Sequence, residues 1–148
     1  MKRILLYTYV ICIFFPSVCW AETPILYTLR IHSGETEHRF LVAIAETPEQ
    51  KRTGLMFRES MPEEEGMLFR FNPPKIPGMW MKNTLIPLDM LFIKADGTIA
   101  HIAENTVPET LDIIRPSEVV SYVLELNGGT CKKLGINVND QVVLPLDR

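Results

Sequence analysis

Apolar and polar residues alternate with period two along much of the chain, the pattern of half-buried strands. Ile25, Tyr27, Leu29 and Ile31 alternate with Leu26, Thr28, Arg30 and His32. A turn at His32-Ser33-Gly34-Glu35 leads to a second apolar strand, Phe40 to Ala45, and the two predict a hairpin. Met67, Phe69 and Phe71 share one face of a third strand. Leu88 to Lys94 is apolar on both faces, which suits a strand covered from both sides. Ala95-Asp96-Gly97-Thr98 predicts a two-residue hairpin turn, because Asp-Gly accepts the positive φ such turns need. Its partner strand is Ile99 to Ala103, and further strands are Val119 to Leu126 and Val142 to Leu146.

Helical signals are fewer. At Thr47-Pro48-Glu49-Gln50, Thr47 can cap a helix, Pro48 suits its first position and Gln50 completes a capping box. The helix is expected over about 47–57, weakened at Gly54 by roughly 1 kcal/mol relative to alanine. Gly128-Gly129 leads into a short helix at about 130–134. Pro73, Pro74 and Pro77 predict that Asn72 to Gly78 is a loop, neither helix nor central strand. Met79 to Asn83 then resumes an extended segment, and Asn105 to Pro116 reads as a long surface connection. The expected fold is α+β and mainly antiparallel: a small barrel or sandwich with one main helix and one short helix.

The first residues carry a different pattern. Met1-Lys2-Arg3 is positive, Ile4 to Phe15 holds no charge, and Cys19-Trp20-Ala21 offers a small-residue cleavage site. This is the form of a secretory signal peptide over residues 1–21, leaving 22–148 as a single domain that is exported, periplasmic or secreted. The apolar run is shorter than the roughly 18–20 residues that span a bilayer. Membrane contact is therefore expected only through this segment, if it is retained. Cleavage would remove Lys2 and Arg3 and move the formal charge from −3 to −5, which speaks against nucleic acid as a partner. It would also remove Cys12 and Cys19, so Cys131 could not pair within its own chain. Two lysines follow Cys131 and could activate it as a thiolate. The simpler reading is a small packed residue in a helical turn. The balance of 47% hydrophobic and 22% charged residues excludes a wholly disordered chain.

Three stretches carry a resemblance: Arg52-Thr53-Gly54-Leu55-Met56-Phe57-Arg58, Gly66-Met67-Leu68-Phe69-Arg70-Phe71, and the run from Trp80-Met81-Lys82-Asn83-Thr84 through Ile86-Pro87-Leu88-Asp89 to Ile93. Together with Leu124-Glu125-Leu126 and Gly135-Ile136 they make the chain similar to the secreted DUF192 family, domains of unknown function. The chain departs from the family pattern at Met79, where an aromatic residue is usual, and at Asn139, where glycine is usual. The resemblance implies a compact β-rich secreted domain and no particular reaction.

The densest candidate chemistry lies between Trp80 and Asp89. In an extended segment Trp80, Lys82 and Thr84 share a face, with Asn83 on the other. A flat indole beside an ammonium, an amide and the Asp89 carboxylate could hold a small polar ligand such as a carbohydrate, or an envelope protein partner. Arg52 and Arg58 could join from the helix end. The competing reading is structural: Asn83 and Asp89 cap backbone groups around Pro87, and Trp80 fills core. The lead expectation is a non-enzymatic binding module without cofactor or metal. One alternative is an envelope carbohydrate-active enzyme using Asp89 as acid or base. Another is a copper-binding accessory protein using the thioethers of Met79 and Met81, against methionine's role as an adaptable core filler.

Overall fold

The computed structural model describes residues 25–145, so the signal-like segment lies outside the described residues. The elements are β1 (Leu26–Ser33), β2 (Thr36–Ala45), α1 (Pro48–Thr53), β3 (Glu65–Lys75), β4 (Leu88–Ile93), β5 (Ile99–Ala103), β6 (Val120–Asn127), α2 (Thr130–Leu134) and β7 (Gln141–Val143). All seven strands form one sheet in the order β5-β4-β6-β3-β2-β1-β7. The expected α+β, barrel-like class is what forms, as a curled half-barrel. The ladders are antiparallel except β2–β3, which is parallel. A parallel pair needs a crossover, and the residues between β2 and β3, including α1, supply it.

The curl brings the two ends of the sheet together. Thr98, just before β5, bridges Gln141 of β7. Ile99 N–H donates to the Asp140 carbonyl at 3.0 Å, and Val142 N–H to the Gly97 carbonyl at 2.8 Å. Gly97 has φ +87° and lies too close to the Val142 carbonyl to accept a Cβ, so only glycine fits this corner.

The sheet separates two cores. Every strand contributes to the concave one, for example Leu29, Val42, Leu68, Leu91, Ile99, Leu124 and Val142, and Cys131 of α2 plugs it. The convex face carries Phe69, Phe71, Met90, Phe92 and Val123, covered by Leu55, Met61, Met79 and Met81 from the connecting segments. β4 is buried at all six positions, as its doubly apolar sequence predicts.

Several local expectations need correction. The capping box is present, with Gln50 N–H donating to Thr47 Oγ1 at 3.1 Å and Thr47 N–H to Gln50 Oε1 at 2.9 Å. However, α1 ends at Thr53 and does not reach residue 57, because Gly54 turns out of the helix with φ 47°. β3 continues through Pro73 and Pro74 to Lys75. Its ladder to β6 jumps from Arg70↔Tyr122 to Lys75↔Val120, and this irregularity absorbs residues that lack an amide donor. The β4–β5 turn is longer than two residues: Lys94 N–H donates to the Thr98 carbonyl, with Gly97 in the left-handed position. Met79 to Asn83 is no strand; only Met79 bridges, to Ile114.

Candidate functional site

Trp80 and Asp89 lie on opposite sides of the sheet. Leu88 and Met90 point into the convex core, and Leu91 into the concave one. Asp89 alternates with Leu88 and Met90 along β4 and so points towards the concave side with Leu91. There it is fully buried. Its Oδ1 accepts from Asn105 N–H at 2.7 Å and Gly129 N–H at 2.9 Å, and its Oδ2 from Cys131 N–H at 2.8 Å. The carboxylate thus ties the start of α2 and the loop after β5 to the middle of the sheet. Asp89 therefore does not belong to a solvent-facing site with Trp80. Three backbone N–H groups bond to it, so its visible role is to anchor that loop and helix start. Cys131 packs beside it. Burial first, then the Asp89 charge, pushes the thiol well above its ordinary pKa, the reverse of activation by lysines.

On the convex side, the turn from Met79 to Thr84 alternates exposed and buried positions. Met79 and Met81 face inwards, and Trp80 and Lys82 outwards. Trp80 is 40% exposed, with the Lys82 ammonium 5.4 Å from its ring centre. Asn83 adopts φ 56°; its carbonyl accepts from Phe57 N–H at 2.8 Å and its amide donates to Met56 Sδ at 3.8 Å. Asn83 therefore locks this turn to the segment after α1. Thr84 is buried, and its carbonyl accepts from Glu109 N–H. The Met81 side chain is fully buried, with the Thr106 hydroxyl 3.1 Å from its sulfur and 2.9 Å from the Leu88 carbonyl. Among the described residues, no group of three or more His, Cys, Asp or Glu side chains could hold a metal ion.

A groove of about 440 Å³ runs between α1 and Trp80. Its walls are Pro48, Lys51 and Arg52 on one side and Lys75, Pro77 and Trp80 on the other, over a floor of Phe69, Phe71 and Met79. A small shaft-like space of about 20 Å³ adjoins it, sharing Arg52, Phe69, Met79 and Trp80 with the groove and also lined by Met56, Thr84 and Glu125. Glu125 sits in the centre of β6, paired across the ladders with Met67 and Met90. It is 4% exposed, and among the described residues its carboxyl has neither a hydrogen bond nor an ion pair. Burial alone pushes its pKa up to about 8. Around the groove the Lys51 and Lys75 ammoniums approach the Phe71 ring, at 5.3 and 4.8 Å from its centre. Burial, then repulsion from Lys75, lowers the pKa of Lys51.

Of the residues singled out in the sequence, the fold thus gathers Arg52, Trp80 and Thr84 on one cleft and places Lys82 at its edge. Asn83 supports that cleft from behind, while Arg58 lines neither groove nor shaft. Glu125, Lys51 and Lys75 were missed. The available signal was an acid between Leu124 and Leu126, the one charged residue of the strand Val120–Asn127.

Comparison with known proteins agrees with this architecture. A Sinorhizobium meliloti protein, described as a candidate transcription regulator, has a crystal structure with TM-score 0.80 and 44% identity, covering 82% of this chain and 96% of that one. A protein of unknown function from Novosphingobium aromaticivorans gives TM-score 0.81 and 34% identity, covering 88% and 94%. No curated protein matches. The model of the DUF192 family, described as "Uncharacterized ACR", matches residues 29–144. The chain belongs to the DUF192 family.

Proposed function

We propose that this chain is a non-enzymatic module that binds a small polar ligand in the groove between α1 and Trp80. The observation that carries the reading is Glu125: a carboxyl 4% exposed, with no hydrogen bond or ion pair to it among the described residues, lining a shaft beside a ligand-sized groove. A ligand hydroxyl that reached it would supply the hydrogen-bond partner that the described residues do not. The groove volume lies within the range of about 300–1,000 Å³ common for ligand clefts. Its indole and apolar floor suit the C–H face of a sugar ring. Binding is favoured over hydrolysis because glycoside chemistry works between two carboxyls, and among the described residues Glu125 is the one acid that lines this cleft. The positive start, the apolar run Ile4 to Phe15 and Ala21 support action outside the cytoplasm.

The test is a titration of the full chain with neutral and acidic monosaccharides, following tryptophan emission and thermal unfolding. A binder present at about 100 times its Kd should add roughly 2.7 kcal/mol of stability. It should also shift an emission component that is missing from Trp80→Phe. If no sugar moves either signal, the groove is not a monosaccharide site and the reading falls.

A further inference from the structure

Resting on that reading, we infer that the groove selects an anionic polyol, a hydroxylated carboxylate or phosphate of sugar size. Its anionic group lies against Lys51, Arg52 and Lys75, and one hydroxyl enters the shaft to meet Glu125.

Three observations converge. Among the described residues, the groove walls carry three cations and no acid, although the whole chain has a formal charge of −3. Positive charge is therefore concentrated here against the overall balance. The ion pairs among the described residues engage Arg30, His32, Arg39, Arg70, Lys94 and Lys133, and none of the three groove cations. Lys51 and Lys75 also repel each other across Phe71, and an anion between them would turn that repulsion into attraction. Secondly, the shaft is matched to one small group. A site of about 10–15 Å³ holds a single water, so this one admits a hydroxyl but not a ring. Thirdly, the group waiting there is a carboxyl. A hydroxyl both donates and accepts, so it pairs with Glu125 whether or not the acid is ionised. An ammonium would first have to pass three cations. The frame joining anion and hydroxyl meets Trp80, Phe69 and Phe71, which favours a ring with an apolar face.

Calorimetric titration of the full chain with glucuronate, glucose 6-phosphate, glucose and inorganic phosphate tests this. At least one of the two acidic sugars is expected to bind tenfold or more tightly than glucose, and raising salt should narrow the gap. The pair glucuronate and glucose 6-phosphate tells a carboxylate from a phosphate. Lys51→Gln with Arg52→Gln should cut the preference for the acidic sugar at least tenfold. Glu125→Met, which matches the methionine-rich surroundings, should keep the fold in a melting curve yet weaken the acidic sugar about tenfold, one hydrogen bond's share. Equal binding of glucose and both acidic sugars would overturn the anionic class and leave the groove reading standing. Inorganic phosphate binding as tightly as glucose 6-phosphate, with no effect of Glu125→Met, would overturn the role of the shaft. Binding of none of the four would remove both.

Discussion

Replacing Glu125 by glutamine should change how stability depends on pH. Glutamine keeps the shape but cannot ionise. In the folded chain, burial holds the Glu125 carboxyl protonated up to about pH 8, whereas an exposed glutamate loses its proton near 4.5. Between those values the folded state binds more protons than the unfolded one, so this group makes stability fall as pH rises. At about 1.4 kcal/mol for each pH unit of separation, the full loss is about 5 kcal/mol. That is a ceiling, since Lys51 and Arg52 line the same shaft and would ease ionisation. Domains of this kind are stable by only about 5–15 kcal/mol, so even half of it is easy to measure. The assay is urea unfolding of wild type and Glu125→Gln from pH 5 to pH 9. Near pH 5 the two should agree within about 1 kcal/mol. Above pH 8 the variant should be the more stable by several kcal/mol. The two proteins share every other ionisable group, so those contributions cancel in the difference. Parallel curves for the two proteins would refute the reasoning, as would a wild type that gains on the variant as pH rises.

Two further outcomes follow from the opposite face of the sheet. Asp89→Ala should destabilise the chain by about 3–5 kcal/mol in urea unfolding, because three buried backbone donors lose their acceptor at once. An effect below about 1 kcal/mol would mean that water replaces the carboxylate there. Cys131 should resist a maleimide at pH 7 in the native state and react promptly once urea unfolds the chain, since its thiol is buried and its pKa raised. Fast labelling of the folded protein would restore the reactive-thiol reading.

Local chemistry was legible in the sequence, while relations between distant segments were not. The Thr47–Gln50 capping box is written in four consecutive residues and forms as expected. The two apolar faces of β4 give away its double burial. The end of α1 was missed because a glycine can stay in a helix or leave it, and Gly54 leaves it beside the Phe69 ring. The prolines of β3 read as breakers because the bulge that accommodates them depends on β6, some fifty residues later. The site shows the same division. Arg52, Trp80 and Thr84 were suspected from residue type and meet at the cleft. Asp89 was grouped with Trp80 because a strand that is apolar on both sides does not reveal where its single acid points. The setting of Glu125 is not legible, because alternation puts it on a mixed face with Ser121 and Val123 that could be open or covered. β6 lies between β3 and β4, both of its faces are covered, and such a face becomes interior.

The corner where Thr98 meets Gln141 also bears on how the molecule behaves among its own copies. An open sheet of seven strands has two edges whose free peptide groups can recruit a further strand. Here part of one edge is spent on part of the other. Keeping glycine at position 97 thus serves solubility as well as geometry: at that corner the molecule occupies the template along which fibrous growth would begin.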